Sequence, residues 1–260
     1  MIDNIRLIAA EAGEAIMKTY SGPNKIESKE DGSPLTQADR AAHNCIVNAL
    51  NKLTPSIPVL SEESEGITTE ERLTWDRFWL VDPLDGTKEF VKKTGQFTVN
   101  IAFIENGEAT LGVVLAPASD LEFFAIRDKG AFKRIRQTDP VRIKVSKADK
   151  NKLRIVASRD HAGPKIVTLL EKLPTAELVS MGSSLKFCLI AEGQADLYPR
   201  FIPTMEWDTG AAQCILEEAG GSVCTLDGYR LEYAKKELRN RSIIGAGDPT
   251  IDWKALIPND

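Results

Sequence analysis

Apolar side chains at Ile5, Ile8, Ala9, Ala12, Ile16, Met17 and Tyr20 recur at helical spacing. Residues 3–20 are therefore predicted to form an amphipathic helix, with Asp3 as a cap and Gly22 as its stop. Thr36 opens a second predicted helix that runs towards Leu53 and ends before Pro55, with Asp39 in its first turn. Two short apolar runs, residues 57–60 and 78–81, read as buried strands. The first leads directly into Ser61-Glu62-Glu63, and the second is expected to break at Asp82-Pro83-Leu84-Asp85-Gly86-Thr87. The pattern then becomes antiparallel. Residues 97–104 and 109–115 flank Glu105-Asn106-Gly107-Glu108, and residues 121–126 and 131–135 flank Asp128-Lys129-Gly130, both hairpin signals. Beyond a polar, Lys-rich stretch at 137–151, strands at 153–157, 178–181, 222–225 and 242–245 alternate with helices from Pro164, Ser184 and Trp207. This order predicts two fused lobes: an α+β lobe over 1–148 and an α/β lobe over 149–260.

A chain of 260 residues can bury about three quarters of its unfolded surface, enough for such a pair of lobes. Hydrophobic content of 42% and charged content of 27% are those of an ordinary globular protein. The net charge of −5 gives no bulk attraction to nucleic acid or anionic lipid. No basic region followed by an apolar core opens the chain, and no stretch reaches bilayer-spanning length, so a cytoplasmic location is expected. Cys45, Cys188, Cys214 and Cys224 are scattered without metal-type spacing and read as reduced, packed thiols.

The chemistry concentrates in the acidic residues. Asp82 and Asp85 lie three residues apart at a strand end, with Pro83 fixing a dihedral between them and Gly86 allowing close backbone approach. An oxygen-rich, rigid turn of this kind suits a hard divalent cation such as magnesium. Asp-Pro and Asp-Gly turns are also common loop punctuation. Asp39, Glu62 and Asp208 also stand at strand ends or helix starts, and each alone has a plain structural account as a helix-dipole partner, a solvated acid or a cap. Together these acids supply what two divalent cations about 4 Å apart need to clamp the attacking and leaving oxygens of an in-line displacement. His43, inside the second helix, reads as structural.

Three segments carry a family resemblance: Leu60-Ser61-Glu62-Glu63, Trp79 through Thr87, and Trp207-Asp208-Thr209-Gly210-Ala211. They resemble the inositol monophosphatase superfamily of magnesium-dependent, lithium-sensitive phosphatases, in the family's order and over nearly the whole chain. Lys88-Glu89-Phe90, Ser158-Arg159-Asp160-His161, Gly182 through Cys188 and Leu197 through Phe201 are similar to its 3'(2'),5'-bisphosphate nucleotidase branch, of the bacterial CysQ type. The resemblance implies a layered α/β sandwich related to fructose-1,6-bisphosphatase. It implies two or more Mg2+ ions, one held by Glu62, Asp82 and the Leu84 carbonyl, the second by Asp82, Asp85 and Asp208. Thr87, supported by Asp39 and Glu62, would orient and deprotonate the attacking water, and Gly86 and Thr87 would meet the scissile phosphate. Ser158, His161, Gly182 and Lys186 would grip the nucleotide. Lys186 has a separate physical case, because a dianionic ligand needs cations that this acidic chain does not supply in bulk. The implied reaction removes the 3'-phosphate of adenosine 3',5'-bisphosphate, clearing a by-product of sulfate activation. The implied protein is a monomer or homodimer, cytoplasmic or peripheral on the cytoplasmic face of the inner membrane. In this family the polar stretch 65–75 fits a mobile loop near the site.

Other readings make different demands on the same residues. Haloacid-dehalogenase phosphatases carry Asp-x-Asp-Gly-Thr, one residue shorter than the motif here, and phosphorylate their first Asp. The longer spacing favours attack by water over a covalent aspartyl-phosphate. An inositol or sugar phosphate phosphatase would keep the metal ligands, and the features that discriminate against it are Lys88-Glu89-Phe90 and the 182–186 segment, both nucleotidase-like. A non-catalytic, metal-dependent nucleotide sensor could dispense with Thr87 and Asp39.

Overall fold

A computed structural model describes residues 1–20, 22, 26–28, 34–158 and 164–257. The hydrophobic pattern finds its partners in layers. Helices Ile2–Tyr20 and Gln37–Leu53 pack side by side on one face of a seven-stranded sheet. The sheet runs in sequence order through Val59–Ser61, Arg77–Asp85, Thr98–Glu105, Glu108–Ala116, Leu121–Ile126, Gly130–Ile135 and Val141–Ile143. Only its first pair is parallel; the remainder are hairpin-type antiparallel neighbours. Helices Leu185–Ala191 and Gly210–Glu218 cover the opposite face. Beyond them lies a second, five-stranded sheet in the order Glu177–Ser180, Arg154–Ala157, Leu197–Arg200, Ile243–Ala246, Ser222–Thr225. The outer face of that sheet buries Leu169 and Trp253, from helices Pro164–Lys172 and Trp253–Leu256.

The run Phe78-Trp79-Leu80-Val81 shows why the central strands are apolar on both faces. Trp79 and Val81 pack with Ile5, Ile16, Ile46 and Leu50 of the first helix pair. Phe78 and Leu80 pack with Leu185, Ala211 and Ile215 of the second. A strand covered by helices on both sides has no polar face to alternate with. Gly112 marks the closest approach, since a Cβ there would collide with the Ala211 carbonyl. Helix Gly210–Glu218 thus lies directly on the sheet.

The helix boundaries follow their caps. Thr36 accepts from the Ala38 N–H at 3.1 Å, and Asp39 reaches back to Thr36, forming a capping box. Residues 65–75, read from sequence as an irregular loop, instead contain the helical turn Thr69–Arg72. Arg72 is buried and donates to the carbonyls of Lys235 and Lys236, which pins this segment to the second half of the chain. The four cysteines are free. Among the described residues no helix is long and apolar enough to cross a membrane.

Candidate active site

In a regular strand, residues three apart point to opposite faces of the sheet. Asp82 and Asp85 escape that rule through a bulge. Asp82 is paired with Asn100 and Asp85 with Thr98, so three steps on one strand match two on its neighbour. The extra residue turns both carboxylates to the same side. Pro83 falls inside the bulge, where a missing N–H breaks no ladder bond. The expected break at Asp82 is therefore corrected: the strand continues to Asp85. Gly86 then adopts φ +90°, opening helix Thr87–Val91, and a Cβ on it would stand 3.1 Å from the Gln96 carbonyl oxygen.

Asp208 arrives from the other half of the chain, on the 3-10 turn Glu206–Asp208. The sequence places a helix start at Trp207, whereas the α-helix begins at Gly210, after this turn. Met205 N–H donates to Asp208 Oδ2 at 2.5 Å. The turn is anchored by Glu206, a residue that sequence reasoning passed over. Its fully buried carboxylate accepts from the Ala234 and Lys235 N–H groups at 3.0 Å each and from Lys235 Nζ at 2.6 Å. Gly210 lets the turn lie close to Leu80 of the motif strand. As a result Asp82, Asp85 and Asp208 each offer an oxygen, all within 4.8 Å of one another.

The electrostatics of this convergence are unfavourable with protein groups alone. Burial, followed by the charges of Glu62, Asp85 and Asp208, holds the Asp82 carboxyl well above the usual range. Burial and then the Asp85 charge push Asp208 up to about 7. Carboxylates so close cannot all ionise without a counter-charge. The donor set is all oxygen, so the group that fits is a hard divalent cation.

Glu62 follows strand Val59–Ser61, and its N–H donates to the Val81 carbonyl at 3.0 Å. It is half-buried, and its charge acts on both Asp82 and Asp208. Leu84 is buried, with its N–H on Asp82 Oδ1 at 3.0 Å. Thr87 Oγ1 lies 3.3 Å from the Leu84 carbonyl and 3.3 Å from Asp39 Oδ1. The other Asp39 oxygen accepts from Thr36 N–H at 2.8 Å and from its hydroxyl at 2.6 Å. Asp39 is thus both a helix cap and a partner of Thr87.

Lys186 shares a 120 Å³ cavity with Asp85, Asp208, Tyr198 and Arg200. Burial lowers its pKa to about 8, although Asp85 opposes the shift, and its Nζ donates to the Ser183 carbonyl at 2.6 Å. Ser158 lines an adjoining cavity of 370 Å³ with Lys165, Phe201 and Ile202; Tyr198 and Arg200 border both spaces. Gly182 N–H donates to Gln96 Oε1 at 3.0 Å, and a Cβ at Gly182 would come within 2.7 Å of the Gln96 carbonyl. His161 lies outside the described residues. His43 Nδ1 stands 2.9 Å from Ser61 Oγ. Ser184 and Asn100, to which the sequence assigned no site role, contact Asp85 directly.

Comparison with known proteins adds to this geometry. Residues 2–256 match the model of the inositol monophosphatase family. The 3'(2'),5'-bisphosphate nucleotidase CysQ of Escherichia coli strain K12 is 46% identical over 239 residues, spanning 91% of this chain and 95% of its own length. The Haemophilus influenzae protein of the same name is 36% identical over 261 residues, covering 98% and 96%. The crystal structure of CysQ from Bacteroides thetaiotaomicron, described as a bacterial member of the inositol monophosphatase family, superposes with a TM-score of 0.81 at 39% identity. That match covers 95% of this chain and 98% of that one.

Proposed function

The chain belongs to the inositol monophosphatase family and shares its layered α/β fold; from that premise we propose that it is a magnesium-dependent 3'(2'),5'-bisphosphate nucleotidase. Its reaction is hydrolysis of the 3'-phosphate of adenosine 3',5'-bisphosphate to AMP and phosphate, in the cytoplasm, by a monomer or homodimer. The observation that carries this reading is the convergence of Asp82, Asp85 and Asp208, of which Asp85 and Asp208 line a cavity with the buried Lys186. Two acids and a lysine in one small cavity, with Asp82 converging on the same acids, make sense for a phosphate that arrives with divalent metal. The identity to bisphosphate nucleotidases over nine-tenths of the chain supports the substrate.

Glu62, Asp82, Asp85, Asp208 and the Leu84 carbonyl would hold two Mg2+ ions. Bound there, magnesium supplies charge that neutralises the phosphate oxygens and acidifies water. The chain's own residues handle the proton. Asp39 Oδ1 accepts from the Thr87 hydroxyl, leaving the Thr87 lone pairs to take a proton from the attacking water and pass one on to Asp39. Asp39 is kept in place by both Thr36 bonds on its other oxygen. Glu62 supports Thr87 from the neighbouring strand, and Gly86 gives the scissile phosphate room against the backbone. Lys186, with Ser158, Gly182 and His161, grips the rest of the nucleotide. The 370 Å³ cavity supports this assignment: Phe201 and Ile202 suit a base, and Lys165 and Arg200 suit a second phosphate. In this reading the 1–148 lobe carries most metal ligands and the 149–260 lobe carries Asp208 and the nucleotide grip.

Phosphate release with Mg2+ tests the reading, using adenosine 3',5'-bisphosphate and inositol 1-phosphate in parallel, each with and without Li+. The expected outcome is strong preference for the nucleotide and loss of activity in lithium. Preference for inositol phosphate would overturn the substrate, and release from neither would overturn the activity.

A further inference from the structure

The two oxygens of Asp85 have unequal surroundings. Oδ2 accepts from the Ser184 main-chain N–H at 2.5 Å and from the Ser184 hydroxyl at 2.7 Å, with the Asn100 amide at 3.4 Å. No hydrogen bond from the described residues reaches Oδ1. Ser184 and Asn100 are both buried. Asn100 Nδ2 also lies 2.9 Å from Ser184 Oγ, which in turn is 2.9 Å from the Asp208 carbonyl. An amide NH2 can only donate, so Ser184 Oγ accepts from Asn100 and must send its single proton onward. The shorter contact and the negative acceptor both direct that proton to Asp85 Oδ2. Asn100 Oδ1 and Thr98 Oγ1, two residues apart on the same strand face, are buried with no protein partner. Stability alone gives no reason to keep polar groups in that state.

The arrangement is a one-way relay from Asn100 through Ser184 to one oxygen of a proposed metal ligand. We propose that Ser184, held by Asn100, is a positioning residue that leaves Asp85 a single oxygen for the cation and thereby selects magnesium over calcium. The physical reason lies in the ions. Mg2+ demands near-octahedral geometry and takes one oxygen from each carboxylate. Ca2+ takes more ligands and often chelates a carboxylate through both oxygens. An Asp85 with Oδ2 already occupied serves the first and handicaps the second. The inference rests on the metal-site reading above.

Calorimetry of the whole metal-free protein with Mg2+ and, separately, with Ca2+, without nucleotide, tests it. Ser184→Ala, which removes the hydroxyl bond to Oδ2 and keeps the main-chain one, is expected to weaken Mg2+ binding by about 10-fold, as losses of such supporting groups do, while Ca2+ binding holds or tightens. The Mg2+/Ca2+ preference then narrows by at least the same factor. Asn100→Ala should narrow it in the same direction but less, and Ser184→Thr, which keeps the hydroxyl, should restore it. Should Ser184→Ala fail to fold, Asn100→Ala carries the same test. Equal losses for both ions, or an unchanged preference in both variants, would overturn the inference while leaving the metal site standing. Wild-type protein that takes up neither ion overturns the metal-site reading and this inference with it.

Discussion

The Thr87 hydroxyl stands equally far from Asp39 Oδ1 and the Leu84 carbonyl, and it has one proton to give. A buried carboxylate is the stronger acceptor, so the proton goes to Asp39 and the oxygen is left able to accept. Thr87→Ala should therefore lower kcat by about 100-fold or more while KM for the nucleotide stays the same. Thr87→Ser should keep most of the rate. Steady-state kinetics decide it, and unchanged turnover in the alanine variant would refute the proton-transfer role. At this scale the acids and Lys186 were legible because their residue types and motif spacing announce charge chemistry. Ser184 and Asn100 were not. They act on Asp85 from 99 and 15 residues away in sequence, and a serine or asparagine carries no periodic signal of what it will touch.

Helices and hairpins were readable where local rules decide them. The 3.6-residue repeat of Ile5, Ala9, Ala12 and Ile16 and the capping box at Thr36 need no distant partner. The bulge at Asp82 and Asp85 could not be read, because it exists only relative to Asn100 and Thr98 on the adjacent strand. Strand Leu197–Arg200 was likewise missed as an element: Pro199 argues against a strand, although its neighbours in the second sheet accommodate it. Gly112 is where packing between elements can be tested. Gly112→Ala drives a methyl group into the Ala211 carbonyl and should cost about 1–3 kcal/mol of stability. Helix Gly210–Glu218 must then shift, and with it the turn that carries Asp208. A lowered melting temperature accompanied by weaker Mg2+ binding is expected; a lower melting temperature with intact metal affinity would uncouple the helix from the site.

For the molecule as a whole, the metal-free site is a stored electrostatic debt. In the unfolded chain carboxyls ionise at about pH 4. In the fold Asp208 holds its proton to about 7, and Asp82 is also raised well above the ordinary value. Over that window the folded state binds more protons than the unfolded one, so the contribution of these groups falls as pH rises from about 4 to about 7. Metal-free protein should lose melting temperature across this range relative to Asp208→Asn, in which one of the opposing charges is gone. Mg2+ should raise the wild-type melting temperature more at pH 8 than at pH 5. Thermal unfolding with and without metal checks both signs, and equal stabilisation at the two pH values would contradict the account.

The two aspartates face the same way only because three steps on one strand answer two on the next. A lineage carrying this sequence can exchange Pro83 or Leu84 for other residues and keep that count. Gaining or losing one residue between the aspartates reverses a carboxylate, and no side-chain substitution nearby turns it back. A change of length in a hairpin turn such as the one between Ile126 and Gly130 leaves that count of three against two untouched, so this stretch tolerates replacement where the turns tolerate insertion.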